Sequence, residues 1–176
     1  MNVNTYLSAE ASDIFSKALI GIAGAGGLDS NCAMHLVRAG ISRFIIADID
    51  TVNQSNLNRQ FFFADQIGEY KTTALAENLM RINPDLELEL HTERVTAENA
   101  FRLFGKCSIV VEAFDSVESK EMLFRTLLPH GKIMVGASGL AGFGHSNQMR
   151  IRNIAKTLYL AGDMKTGISP EKPPVS

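Results

Sequence analysis

The chain has 176 residues, 45% of them hydrophobic, with a formal charge of −2 and a pI near 6.1. That is enough apolar side chain for the core of one ordinary domain, and it leaves no basic field that would make nucleic acid the default partner. No apolar run reaches the roughly 20 residues that cross a bilayer, and the first twenty residues lack the basic start and apolar block of a secretory signal. Two cysteines far apart, Cys32 and Cys107, spell neither a disulfide framework nor a four-cysteine zinc site. The composition points to a soluble protein of a reducing, cytoplasmic compartment.

Residues 18–23, ALIGIA, are a short apolar run ending in a glycine-rich turn, the pattern of a buried strand. The spacing then changes. Leu28, Cys32, Leu36 and Val37 share one helical face, which predicts a helix over 28–39 stopped by Gly40. Residues 44–47 return to strand. A helix is predicted over 71–82, with Leu75, Leu79 and Ile82 on one side and Pro84 just beyond its end. Residues 86–91, LELELH, alternate strictly, so one face is wet, as on a sheet-edge strand. Thr96 caps a helix running to Phe104, 109–113 is the next buried strand, Asp115 or Ser116 caps a helix through Leu128, and 133–137 is a fifth strand.

After Ala137 the pattern stops. "SGLAGFGHS", residues 138–146, is too glycine-rich for a regular element; 148–154 and 157–160 suit a short antiparallel pair; "GISPEKPPVS", 167–176, reads as a flexible end. Strands alternating with helices imply right-handed crossovers. The expected fold is α/β and Rossmann-like: a mostly parallel sheet with helices on both faces and a short C-terminal antiparallel extension. One domain is expected over 1–176, with its core at about 18–139, the loop and short strands at 138–162 and the tail at 163–176.

On such a sheet three polar positions fall at the carboxyl ends of strands, the edge where open α/β sheets bind ligands. They are the turn holding Gly24, Gly26 and Gly27, then Asp48, then Asp115. Glycines let backbone turn tightly against a phosphate while the following helix offers free N–H groups; the plainer reading is close strand–helix packing. Asp48, 24 positions after Gly24, suits a ribose, or else caps a turn. A dinucleotide fingerprint would need its third glycine at position 29, where Asp29 stands. A mononucleotide arrangement fits better.

"NQSNLNRQFFF", residues 53–63, then supplies amide, hydroxyl and guanidinium groups in quick succession, followed by three phenylalanines. Alone, Arg59 reads as a surface ion pair and Lys71 as a solvated first-turn lysine. Placed after a nucleotide-type turn, Asn56, Arg59 and Lys71 read instead as phosphate partners, Arg59 through its planar fork and Lys71 as a point charge. The phenylalanines suit a core or an interface. Glu112 reads equally as a helper of Asp115 or as a charge near the sheet edge.

These residues resemble the nucleotide-binding core of the ThiF/MoeB/HesA family, relatives of the ubiquitin-activating enzymes. The stretches that carry the resemblance are "GAGGLDS" at 24–30, "ADIDTVNQSNLNRQ" at 47–60, "IGEYK" at 67–71, "INP" at 82–84 and "VVEAFDS" at 110–116. Their spacing is most similar to the short bacterial ThiF-like branch often labelled family 2. The resemblance implies an ATP-dependent adenylyltransferase that binds Mg2+ and activates the Gly-Gly carboxylate of a small ubiquitin-like sulfur-carrier protein, in thiamine biosynthesis, from a homodimer; the alternatives are a nucleotide- and carrier-binding module without turnover, or activation of a different carboxylate. It implies that Gly24, Gly26 and Gly27 shape the nucleotide turn and that Asp48 holds the ribose. Asn56, Arg59 and Lys71 would address the phosphates, and Asp115 the magnesium.

This chain also departs from that pattern. It lacks the paired CxxC zinc ligands of many relatives, so no structural zinc is expected. Neither cysteine lies where some relatives carry a thioester, so adenylation without an enzyme thioester is expected. No arginine precedes Arg38 to reach into a partner's site, so that contribution is either absent or replaced, with Lys17 the candidate, and Asp29 stands where the family commonly has glycine. His145 reads as an ordinary loop histidine beside a possible path for the carrier tail.

Overall fold

The computed structural model describes residues 6–137 and 146–163. Its strands are β1 (Leu19–Ala23), β2 (Arg43–Ala47), β3 (Glu87–His91), β4 (Ile109–Glu112), β5 (Ile133–Ala137), β6 (Arg150–Ala155) and β7 (Leu158–Gly162). They form one sheet in the order β3-β2-β1-β4-β5-β7-β6, parallel throughout except for the antiparallel β6/β7 pair. β1 to β3 build outward in one direction and β4 to β5 in the other. The order therefore reverses between β1 and β4, and a crevice opens at their carboxyl ends.

The period of two along each strand divides the core between the two faces. Ile20, Ile22, Phe44 and Ile46 pack beneath α2 (Gly27–Ala39) and α3 (Lys71–Met80) through Ala33, Val37, Leu75 and Leu79. Ala23, Ile45, Ala47 and Val110 pack beneath α4 (Ala97–Phe104) and α5 (Val117–Leu127) through Leu103, Phe104, Leu123 and Leu127. Gly21 in β1 is a forced choice on this second face. A Cβ there would lie 2.7 Å from the ring of Phe104 and 3.1 Å from the Cys107 sulfur. Gly21→Val is expected to lower stability by ~1–3 kcal/mol through overpacking, read from the midpoint of urea unfolding.

β3 is the edge strand that its alternation predicts. Thr96 precedes α4, and Ser116 rather than Asp115 caps α5, accepting from the Ser119 N–H at 3.1 Å. The expected antiparallel pair is present as β6 and β7. The face of α2 differs from expectation. Asp29, Ser30, Ala33 and Val37 are buried, whereas Leu28 is 58% exposed. The helix is turned by one position because the small Ala33 allows close approach to the sheet and Asp29 is drawn beneath the glycine turn. The sequence reading also missed a first helix, α1 (Ala9–Lys17), capped by Ser8; none of its residues is fully buried, although Phe15 packs against the core. The glycine-rich stretch through His145 and the tail from 164 onward lie outside the described residues. Among the described residues, no helix is long and apolar enough to cross a membrane.

Candidate functional site

β1 ends at Ala23 and the chain turns at Gly24, whose φ of 111° is a left-handed conformation that side chains with a Cβ resist. The turn enters α2 through Gly26, and no side chain caps that helix. Its first-turn N–H groups and the positive end of its dipole therefore face the crevice. Asp48, just past the end of β2, closes the next side. Its Oδ2 accepts from the Ala25 N–H at 2.6 Å and its Oδ1 from the Asp50 N–H at 2.7 Å. Burial raises the Asp48 carboxyl above its ordinary value, and the Asp50 and Ala25 N–H groups and the Lys71 charge pull it back. Asp48 is thus fixed to the glycine turn from across the sheet.

The excursion between β2 and α3 folds back over the same turn. The Arg59 stem lies on Gly27, 3.4 Å from where a Cβ would be. Its guanidinium donates to the Ser55 carbonyl at 3.1 Å and to Asn58 Oδ1 at 2.9 Å, on an exposed surface. Asn56 caps its own 3-10 turn, accepting from the Asn53 N–H at 2.9 Å through Oδ1, so its amide nitrogen is the end left to donate outward. Lys71 is buried, and its ammonium pairs with Asp50 at 2.9 Å. It is not the solvated first-turn lysine of the plainer reading: the structure seats it beneath the Asp48–Asp50 corner, beside the glycine turn. Phe62 enters the core, while Phe63 meets Phe61 edge to face at 5.9 Å and Arg81 lies over its ring at 5.5 Å.

Asp115 is exposed, immediately before α5 and on the β4 side of the crevice. Phe114 beside it reaches within 3.8 Å of a Cβ built on Gly24. Among the described residues no three potential ligands cluster as a metal cage. A single accessible carboxylate suits an ion that takes most of its ligands from phosphates and water. The glycine turn, Asp48, Arg59 and, through Asp50, Lys71 thus surround one helix N-terminus, with Asp115 at the neighbouring strand end.

A model of the ThiF family matches residues 2–162. The chain belongs to the ThiF family. Ubiquitin-like modifier-activating enzyme 5 of Arabidopsis thaliana is 44% identical over 90 residues, 51% of this chain and 20% of that protein. The adenylyltransferase and sulfurtransferase MOCS3 of Anopheles gambiae is 32% identical over 159 residues, 90% of this chain and 34% of that one. The chain therefore spans between a fifth and about a third of these relatives' length. Among solved structures, Escherichia coli tRNA N6-threonylcarbamoyladenosine dehydratase, TcdA, in complex with ATP superposes with a TM-score of 0.86 at 24% identity, over 94% of this chain and 81% of that one. Another TcdA structure is 30% identical with a TM-score of 0.78, over 85% and 61%.

In this ThiF-family chain the motif residues are held by others that the sequence reading passed over. Asn31, one turn into α2, donates to the Gly27 carbonyl at 2.6 Å and to the Arg59 carbonyl at 2.8 Å. Ser30 Oγ accepts from the Phe61 N–H at 3.0 Å. Asn78 in α3 donates to the Phe61 carbonyl at 2.9 Å and exchanges hydrogen bonds with Gln66. The signal for Asn78 was a polar residue on the apolar side of a predicted helix. Asn78→Ala leaves the Phe61 carbonyl and the buried Gln66 amide without that partner, with an expected cost of ~1–3 kcal/mol in denaturant unfolding.

Beneath the turn lies a buried charged cluster. Glu112 is wholly buried and pairs with Lys120 of α5 at 3.0 Å, while it also accepts from the Phe114 N–H. Neither reading of Glu112, a helper of Asp115 or a charge near the sheet edge, anticipated this enclosed pair with Lys120. Asp29 is 2% exposed, and its Oδ1 has no hydrogen-bond partner. Burial first, then the charge of Glu112, push its carboxyl from an ordinary 3.8 up to about 8. The folded chain therefore holds a proton that the unfolded chain releases, and Asp29 lowers stability as pH rises from about 4 to about 8. Asp29→Asn is expected to gain stability over the wild-type chain across that window and to level off above it, as measured by thermal unfolding at successive pH values.

Proposed function

We propose that this chain is an ATP-dependent adenylyltransferase that activates the C-terminal Gly-Gly carboxylate of a small ubiquitin-like sulfur-carrier protein. The observation that carries the proposal is the convergence of an uncapped helix N-terminus, the Asp48 carboxylate and the Arg59 stem at one strand edge. Relatives named as adenylyltransferases and ubiquitin-like modifier-activating enzymes support it, and so does a structural neighbour bound to ATP. Thiamine biosynthesis is the pathway proposed, and a homodimer the working assembly.

The reaction joins two anions. A carrier carboxylate oxygen attacks the α-phosphorus of ATP, a new oxygen–phosphorus bond forms, and the bond to the bridging oxygen breaks. Pyrophosphate leaves with the electron pair. No nucleophile from the enzyme is needed. The chain's task is to hold both partners and to cancel charge on the leaving group. The N–H groups at the start of α2 receive phosphate, Asp48 accepts from ribose hydroxyls, Arg59 and Asn56 reach the phosphates from above, and Lys71 offsets the acidic corner of Asp48 and Asp50. Asp115 would hold magnesium, which, when bound, neutralises the developing phosphate charge.

A second reading follows from TcdA, which acts on threonylcarbamoyladenosine in tRNA by its name: the activated carboxylate would then be borne by tRNA. Labelled pyrophosphate exchange into ATP separates the two. Exchange that depends on a carrier ending in Gly-Gly supports the first reading. Exchange that depends only on modified tRNA replaces it with the second.

A further inference from the structure

The least explained group near the crevice is Asp29. It sits in the first turn of α2 with its carboxyl folded inward against the turn, 2.7 Å from where a Gly24 Cβ would be and 3.7 Å from that of Gly26. It is all but inaccessible; Oδ1 has no partner, while the Gly26 N–H donates to the carboxyl and only partly offsets its burial. A buried acceptor left in this state is costly unless it carries a proton.

The charges around it come from four elements. Glu112 in β4 and Asp48 after β2 repel an ionised Asp29, and Lys120 in α5 attracts it. Lys120, however, lies at 3.0 and 3.3 Å from the two Glu112 oxygens, so the pair is neutral as a unit. Cys32, one turn on in α2, is held as a neutral thiol by burial first and by Asp29 second. Lys120 is already paired with Glu112, so the wholly enclosed Asp29 has no cation of its own and is the carboxyl that keeps its proton.

We propose that Asp29 is a positioning residue for the phosphate turn, that it must be protonated for the turn to accept a triphosphate, and that nucleotide binding therefore takes up a proton under alkaline conditions. The proposal rests on the nucleotide-binding reading of this site. A neutral Asp29 fills the space beneath Gly24 and Gly26 and leaves the positive end of α2 to the ligand. An ionised Asp29 places a negative charge under the same N–H groups and opposes the phosphates. Its ordinary value is pushed up to about 8, so the change falls where ATP is already fully ionised.

The test is calorimetric titration of the chain with a non-hydrolysable ATP analogue between pH 7 and 9.5, in buffers of different ionisation heat. Affinity is expected to fall towards about tenfold per pH unit above the Asp29 transition. Proton uptake should rise from near zero at pH 7 towards one proton per nucleotide at pH 9. Asp29→Asn should remove both the slope and the uptake. The proton count needs no variant, so a variant that fails to fold does not remove the test. Binding with a flat profile and no uptake overturns the role of Asp29 and leaves the nucleotide reading intact. A slope that survives in the variant also overturns it. Absence of analogue binding at every pH removes both.

Discussion

Arg59→Ala is expected to slow carrier-dependent pyrophosphate exchange roughly 100- to 1,000-fold, the range for losing one aimed donor at a developing charge. Its thermal midpoint should hardly move. The two halves of this expectation come from different parts of the same side chain. The guanidinium is exposed and bonds to the Ser55 carbonyl and to Asn58 Oδ1 within its own turn, and surface contacts of that kind contribute little to stability. The backbone of Arg59 is held separately, by Asn31 at 2.8 Å, so the excursion keeps its place when the side chain is cut. Arg59→Lys should recover only part of the loss, because an ammonium cannot form two parallel bonds to a phosphate. Exchange at the wild-type rate in Arg59→Ala would remove Arg59 from the mechanism.

Lys120→Met is expected to have the largest effect on stability, ~3–5 kcal/mol, the cost of breaking a buried pair by removing one member. Glu112, the last residue of β4, is wholly buried. Burial already raises its carboxyl above the ordinary value, and Lys120 is the largest influence pulling it back. Without Lys120 it climbs further and takes up a proton. The deficit should then be greatest at neutral pH and shrink towards mildly acid pH, where protonating Glu112 becomes easy. A double variant, Glu112→Gln with Lys120→Met, should lose less than the single one, since no charge remains unpaired. Urea unfolding at pH 5 and pH 7.5 gives both comparisons; an equal loss at the two pH values would mean that Glu112 finds another partner.

How legible the molecule is from its sequence depends on what each signal measures. Strand identity was clear because the runs ALIGIA and FIIA are apolar with turns at their ends, and β3 declared itself an edge because LELELH alternates. The phase of α2 was misread because hydrophobicity favours Leu28, whereas the tight approach at the glycine turn decides which side faces inward. α1 was passed over although Ala11, Ile14, Phe15 and Ala18 stand at helical spacing; the stretch is short and was weighed only against a secretory signal. Gly24, Asp48, Asn56, Arg59, Lys71 and Asp115 were picked out by type and spacing as candidates for the site. Asn31, Ser30 and Asn78 were not, because a carboxamide or hydroxyl that ties two loops together has no sequence period. Lys71 was legible as a cation near the site but not as the partner of Asp50. Asp29 was noticed as an anomaly in the motif; only burial and the neighbouring Glu112 give it a chemical state.

The central claim is that a triphosphate and a peptide carboxylate meet between the glycine turn and the excursion that carries Arg59. Exchange of labelled pyrophosphate into ATP by this chain, with and without a small carrier ending in Gly-Gly, tests it most directly. The account predicts exchange only when the terminal carboxylate is free, and its loss when the last glycine is deleted or amidated. Tight binding of ATP and carrier without any exchange, under conditions where a known adenylating relative is active, would contradict it.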